Sequence, residues 1–238
     1  MALEIIGGTG SLEEKCLVAA ASIFEVLSTR PSNEPLTIGL CGGRSVVGLL
    51  KALEQASKTQ PRELLSRIHF FMVDERIVPL TDPDSNFGGL QQQLFTRLLQ
   101  EGFITESQLH PFVASKEDAQ SACESYLQEL QRFGGRFSVV VLGVGEDGHV
   151  AGLFPRHPAL AETEVAFIPF FDSPKPPAVR MTASRKLVTD STMSVLLVLG
   201  EGKREAWQRF SAGTSSVEEC PAQMVKTMSR CLVVTDLA

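Results

Sequence analysis

The sequence predicts an α/β fold: a Rossmann-like, mostly parallel sheet with helices on both faces, in a single domain spanning residues 1–238. Three observations carry that expectation. Short apolar or β-branched runs recur along the chain, each ending near a glycine or a charged residue. Segments with helical periodicity alternate with them. The apolar runs are continuous rather than alternating, which fits strands buried on both faces, as in a parallel sheet. With 238 residues, 43% of them apolar and 14 of them Phe, the chain can bury a core of that size.

Taken in order, residues 7–10 (Gly7-Gly8-Thr9-Gly10) approach a dinucleotide-binding fingerprint but lack a convincing strand before them, so they read as a loop. Residues 11–29 form the first helix, opened by a capping box of Ser11 and Glu14 and carrying an apolar face of Leu17, Val18, Ala21, Ile23, Phe24 and Leu27. Residues 36–41 form a strand that ends at Gly42-Gly43, and residues 45–56 a helix. The strand at 68–73 runs into Asp74-Glu75-Arg76. Helices at 86–100 and 116–133 lead to a strand at 137–142, and a strand at 195–199 leads to a helix at 202–211. This alternation is the signature of β-α-β units.

Composition removes several functional classes. The net charge is -6, so the chain is a poor general binder of nucleic acid or anionic membrane. Five scattered cysteines (Cys16, Cys41, Cys123, Cys220, Cys231) show no zinc or redox spacing and read as buried reduced thiols. No two histidines have metal-ligand spacing. No apolar run is long enough for a membrane span, and no secretory leader pattern opens the chain. The expectation is a cytoplasmic protein, monomeric or weakly homo-oligomeric, that acts on a small molecule without metal or organic cofactor.

In an open α/β sheet the ligand sits beyond the carboxyl ends of the strands, and three polar motifs fall there. Cys41-Gly42-Gly43-Arg44-Ser45 precedes a helix: the glycines allow close backbone approach, and the helix start offers free N–H groups to an anion. The same residues also serve a plain strand-to-helix turn. Asp74, Glu75 and Arg76 can arrange donors and acceptors around a polyol or lactone, or form only a salt-bridged turn. Gly145-Glu146-Asp147-Gly148-His149 follows a buried strand. There His149 is a candidate general base, and Asp147 a partner that fixes its tautomer or binds substrate. Gly148 permits the tight turn that aims both into one cavity. His69 reads as a sheet residue, and His110 and His157 as loop residues before prolines. A dispersed basic set completes the pattern: Lys175 in a proline-rich turn, Arg180 on a strand-like segment at 179–182, and Lys203 at a helix start. A lysine there opposes the helix dipole, which points to a bound anion or to a carboxylate partner such as Glu201.

With these segments in order, the chain resembles the 6-phosphogluconolactonases. The matching segments are Gly42-Gly43, Val73-Asp74-Glu75-Arg76 with Asp84-Ser85-Asn86, residues 142–155, Asp172-Ser173-Pro174-Lys175-Pro176-Pro177 with Val179-Arg180-Met181-Thr182, and Gly200-Glu201-Gly202-Lys203. Leu-Gly-x-Gly-x-Asp-Gly-His followed by Leu-Phe-Pro is the most specific of them. The resemblance implies a fold shared with glucosamine-6-phosphate deaminases. It also implies hydrolysis of 6-phospho-D-glucono-1,5-lactone in the oxidative pentose phosphate pathway, with no cofactor. His149 is then the base that activates water, beside Asp147, with Asp74 and Arg76 in the catalytic set. Gly42, Gly43, Arg44, Ser45, Arg180, Lys203 and Lys175 hold substrate and phosphate. The chain departs from the family's usual Ser-Gly-Gly-Ser-Thr-Pro turn by having Cys41-Gly42-Gly43-Arg44-Ser45-Val46. Two rivals remain. An amino sugar phosphate isomerase or deaminase of the same fold tends to show Asp-Glu-Tyr and Asn-Glu-Pro where this chain has Asp74-Glu75-Arg76 and Leu153-Phe154-Pro155. A non-catalytic sugar-phosphate sensor of this fold usually carries a DNA-binding module, for which the chain has no spare length.

Overall fold

A computed structural model describes residues 2–238. Its strands are β1 (Ala2–Ile6), β2 (Leu36–Leu40), β3 (Ile68–Met72), β4 (Asp74–Arg76), β5 (Leu109–His110), β6 (Val139–Gly143), β7 (Phe167–Phe170), β8 (Arg180–Ala183), β9 (Met193–Val198) and β10 (Arg230–Thr235). The helices are α1 (Leu12–Ser28), α2 (Val47–Ser57), α3 (Arg62–Leu65), α4 (Asn86–Leu90), α5 (Thr96–Gln100), α6 (Ala119–Gln131), α7 (Arg185–Thr189) and α8 (Arg204–Ala212). Seven strands form one sheet in the order β1-β10-β9-β6-β2-β3-β5, with every neighbouring pair parallel. Every residue of β2 and β9 is buried. Because successive side chains point to opposite faces, that pattern requires both faces to be covered. The expected α/β class is therefore the observed one.

The capping box at Ser11 and Glu14 opens α1 as expected, and α1 packs against α2. The loop at 7–10 joins β1 to α1, so it does belong to a strand–loop–helix unit, contrary to the sequence reading. β1 escaped that reading because it is a sheet edge exposed along nearly its whole length and so lacks a buried pattern. His110 ends β5 rather than lying in a loop; its Nε2 meets His69 Nδ1 at 2.9 Å.

A second sheet of three antiparallel strands, β4-β8-β7, was not foreseen. Val73 welds it to the first: its N–H donates to Leu40 of β2 at 2.9 Å, and its carbonyl accepts from Ala183 of β8 at 2.6 Å. In the parallel sheet, β2 leads onward to β3 on one side and β6 to β9 on the other. The crevice between β2 and β6 is the point where the winding reverses, the usual place for a ligand in such sheets.

Candidate active site

A cavity of about 580 Å³ opens over that crevice. Its walls come from the ends of β2 (Cys41 to Ser45), β6 (Gly143 to Glu146, and His149) and β9 (Leu199, Gly200), with Asp74, Arg76 and Arg180 from the small sheet and Lys203 before α8. The structure thus brings together Gly42, Gly43, Arg44, Ser45, Asp74, Arg76, His149, Arg180 and Lys203. Asp147 stands behind His149 rather than on the cavity wall, and Lys175 is not among the lining residues.

The turn at 145–149 closes on itself: Gly145 N–H donates to the His149 carbonyl at 2.8 Å, and Gly148 N–H to the Gly145 carbonyl at 3.0 Å. Gly148 takes φ +88°, a conformation that L side chains rarely adopt. Within the turn, Asp147 Oδ1 lies 2.5 Å from His149 Nδ1 and also accepts the His149 main-chain N–H at 3.2 Å. Burial opposes the charge on Asp147. The hydrogen bonds and charge of His149, with Lys175 further off, outweigh it and hold the carboxyl well below the usual range. An ionised carboxylate only accepts, so in the neutral ring Nδ1 carries the proton and Nε2 the lone pair. Gly145 is what lets the ring lie there. A Cβ at this position would stand 2.0 Å from His149 Nδ1. That second glycine constraint was not recognised from sequence. The other ring face is covered by Phe154, 1% exposed, whose centroid lies 4.5 Å from that of His149.

β4 and β8 pair antiparallel, with Asp74 opposite Thr182 and Arg76 opposite Arg180. Alternation puts Asp74 and Arg76 on one face of β4, toward the cavity, and Glu75 on the other. Glu75 serves structure there, accepting the main-chain N–H groups of Arg76, Asn86 and Phe87, each at 2.7 Å. Burial pushes its carboxyl up to about 7, and these amides pull the other way. Arg180 is buried and does more than line the wall: Nε donates to Pro177 O at 3.0 Å, and Nη2 to Lys175 O and Pro176 O at 3.1 and 2.9 Å. It clamps the proline turn and leaves Nη1 without a protein partner among the described residues. Arg76 Nη1 donates to Asp84 O at 2.6 Å.

Lys203 precedes α8 and has no carboxylate within salt-bridge reach among the described residues. Glu201, the partner considered from sequence, is taken by Arg204 instead. Burial lowers the pKa of Lys203, Lys175 and Arg44 push it the same way, and Glu146 and Asp147 oppose them. These cations therefore converge on one region. Helix α2 does not start at Ser45 as expected; a 3₁₀ turn at Arg44–Val46 intervenes. Arg44, exposed, reaches the cavity from that turn. On the cavity wall the cations Arg44, Arg76, Arg180 and Lys203 outnumber the carboxylates Asp74, Glu146 and Asp236 by one, a balance that favours an anionic ligand.

Among the described residues, no group of three or more His, Cys, Asp or Glu is arranged to hold a metal ion, and no helix is long and apolar enough to cross a membrane. All five cysteines are buried and unpaired. His157 is a satisfied structural residue: Nδ1 accepts from Ala159 N at 3.2 Å and Nε2 lies 3.1 Å from Asp172 Oδ1.

Residues 12–234 match the profile of the family described as glucosamine-6-phosphate isomerases/6-phosphogluconolactonase. The chain is 36% identical over 201 residues to a 6-phosphogluconolactonase of Borreliella burgdorferi, covering 84% of this chain and 83% of that one. It is 32% identical over 232 residues to a 6-phosphogluconolactonase of Streptomyces coelicolor, covering 92% and 87%. In fold it is similar to a 6-phosphogluconolactonase of Thermotoga maritima, with TM-score 0.82, 23% identity and coverage of 99% and 100%. It is also similar to a monomeric glucosamine-6-phosphate deaminase, with TM-score 0.80, 20% identity and coverage of 98% and 97%.

Proposed function

Since the chain belongs to the family of glucosamine-6-phosphate isomerases and 6-phosphogluconolactonases, we propose that it hydrolyses 6-phospho-D-glucono-1,5-lactone to 6-phospho-D-gluconate, the lactone-opening step of the oxidative pentose phosphate pathway. One observation carries the choice of chemistry. An Asp147–His149 pair at 2.5 Å stands at a cavity that also holds unpaired cations, so one base and one phosphate grip face the same space.

In this reading residues 1–238 act as one domain. The phosphate rests on the amides of the Gly42-Gly43-Arg44-Ser45 turn and on Arg44 and Lys203, with Arg180 Nη1 reaching the same cavity. Lys175 adds positive charge from just outside. Binding energy from the phosphate, remote from the reacting carbon, positions the carbonyl. His149 Nε2 takes a proton from water as its oxygen bonds to C1. The C1 oxyanion is met by a guanidinium, for which Arg76 is best placed beside Asp74. As the tetrahedral intermediate collapses, protonated His149 returns the proton to the departing ring oxygen. Asp147 stabilises the transient imidazolium, as a carboxylate does beside a catalytic His elsewhere. No step calls on a metal ion or an organic cofactor.

The test is lactone hydrolysis above the spontaneous rate on freshly generated substrate, wild type beside His149→Ala. Loss of a general base costs about 100- to 10,000-fold, and an unchanged rate would refute the assignment. Ammonia release from glucosamine 6-phosphate, run in parallel, decides against the deaminase alternative when it is absent.

A further inference from the structure

Asp236, just past β10, is a carboxylate on the wall of a cavity whose cations suit an anion. Through space it opposes a phosphate, so its place there calls for another role. Both of its oxygens accept the same main-chain N–H: Gly200 N lies 2.9 Å from Oδ1 and 3.1 Å from Oδ2.

Gly200 turns the chain from β9 into the 3₁₀ turn at Glu201–Lys203. It takes φ +89°, and a Cβ there would meet nothing within 4 Å, so conformation rather than crowding calls for the glycine. Its carbonyl accepts the Lys203 main-chain N–H at 2.9 Å. Asp236 therefore holds one side of Gly200, and Lys203 hangs from the other. Gly202, in the same turn, lies against Glu146: a Cβ there would stand 3.3 Å from Glu146 Oε1. In the sheet β9 lies between β10 and β6, so the turn that carries Lys203 is bounded from the ends of both neighbouring strands.

Asp236 is itself anchored. Thr235 pairs with Val198 at the last register position of β9 and β10. The Thr235 carbonyl accepts from Lys15 Nζ at 3.1 Å, and the same ammonium donates to the Gly8 carbonyl at 2.9 Å. Lys15 is 6% exposed, and a buried ammonium requires its hydrogen bonds, so α1 is committed to holding the end of β10 in place. Lys203 gains from this support because a lysine side chain is long and flexible, and no carboxylate among the described residues pins it by a salt bridge. We propose that Asp236 is a positioning residue: by fixing Gly200 it sets where the Lys203 ammonium meets the substrate phosphate. The inference rests on the lactonase reading, and adds to it a residue that strengthens phosphate binding although its own charge opposes it.

The two effects of Asp236 have opposite signs, which makes them separable. The probes are 6-phospho-D-glucono-1,5-lactone in steady-state kinetics and inorganic phosphate in calorimetry. Asp236→Ala removes charge and acceptor together. Positioning predicts that KM for the lactone and Kd for phosphate both rise, by about 3- to 10-fold, with a smaller change in kcat. Repulsion alone predicts that both fall. Asp236→Asn keeps an oxygen for the Gly200 N–H and loses the charge, so it restores binding to wild-type strength or better. Because Asp236 acts through Lys203, the double variant Asp236→Ala with Lys203→Ala binds phosphate no more weakly than Lys203→Ala alone. Thermal melts followed by circular dichroism establish folding, and Asp236→Leu, similar in shape and without an acceptor, serves where Asp236→Ala does not fold. Phosphate binding in Asp236→Ala as tight as in the wild type, or tighter, overturns the proposal. Additive losses in the double variant overturn it too, as does a Lys203→Ala variant that binds phosphate like the wild type. A wild type that hydrolyses no lactone refutes the lactonase reading instead, and the phosphate measurements then still decide the role of Asp236.

Discussion

Replacing Asp147 separates the two things its carboxylate does for His149. Asp147 Oδ1 accepts both Nδ1–H at 2.5 Å and the His149 main-chain N–H at 3.2 Å. In Asp147→Asn the main-chain N–H still demands an oxygen at that point, so the amide keeps its oxygen toward the ring and the tautomer survives. Only the charge is lost. A hydrogen bond to a charged group contributes about 1.5–3 kcal/mol and a neutral one about 0.5–1.5 kcal/mol. The difference of about 1–1.5 kcal/mol corresponds to a fall of about 5- to 10-fold in kcat/KM for lactone hydrolysis. Asp147→Ala removes the tautomer lock as well and approaches the loss seen on removing the base itself, about 100- to 10,000-fold. Residues acting as a unit are not additive, so Asp147→Ala with His149→Ala is no slower than His149→Ala alone. The assay is the initial rate of lactone disappearance, corrected for the spontaneous rate, with circular dichroism to establish folding. An Asp147→Asn variant as damaged as His149→Ala would refute the main-chain lock, and an Asp147→Ala variant near wild-type rate would refute the dyad.

The remaining predictions concern binding and stability. Lys203→Ala and Arg44→Ala raise KM for the phosphorylated lactone by about 10-fold or more each, the worth of a charge-assisted contact, with a smaller change in kcat; a fall in kcat at constant KM would place the phosphate elsewhere. The Glu75 carboxyl is pushed up to about 7 by burial from an ordinary value of 4.5, so between those values the native state holds more protons than the unfolded chain. Stability therefore falls as pH rises through that window, by up to about 1.4 kcal/mol per pH unit, and stays level in this respect above it. Glu75→Gln removes that slope in urea melts taken across the window. An equal slope in wild type and variant would assign it to another group.

The sequence showed its buried strands and hid those set by tertiary pairing. β2, β3, β6 and β9 announce themselves as continuous apolar runs because covered faces leave no polar alternation. β4 is Asp-Glu-Arg, which no propensity favours as a strand; it is one because Val73 ties its start to β2 and β8. β7 contains Pro169, a residue confined to edge strands, and it lies at the edge of its sheet. β10 is legible in the same way, since Cys231 to Val234 is an apolar run. At the site, the ends of the strands drew attention to Arg44, His149 and Lys203 because charge and glycine cluster there. Asn86 stands in the resemblance only as part of Asp84-Ser85-Asn86, with no role attached. Its importance depends on what it touches, the Asp74 carboxyl and the space above Gly42, and neither is near it in the chain. Arg180 was legible as a cation, but only the structure reveals that it spends two nitrogens on the proline turn.

Which reaction this cavity runs depends on chemistry at its rim, because the fold serves both branches of the family: lactonase and deaminase neighbours superpose with TM-scores of 0.82 and 0.80. Position 154 is the candidate that separates them, since the sequence reading expects Asn-Glu-Pro in a deaminase where this chain has Leu153-Phe154-Pro155. An isomerase or deaminase opens an amino sugar ring and moves a proton between carbons, work that a carboxylate beside the histidine would serve. Here that position is a buried aromatic ring, 4.5 Å from His149 centroid to centroid and 5.7 Å from the Arg180 guanidinium. The ring fixes the imidazole from one side while Asp147 fixes it in the plane. It offers the substrate no second proton carrier. Hydrolysis of a lactone needs none, because one base both deprotonates water and reprotonates the leaving oxygen. The apolar neighbour therefore holds the imidazole in place and supplies no carboxylate of its own, while Asp74 and Glu146 stand on the same cavity wall. Phe154→Glu tests this directly: it removes the support under His149, so lactone hydrolysis drops, and a gain of ammonia release from glucosamine 6-phosphate in that variant would identify position 154 as the branch point.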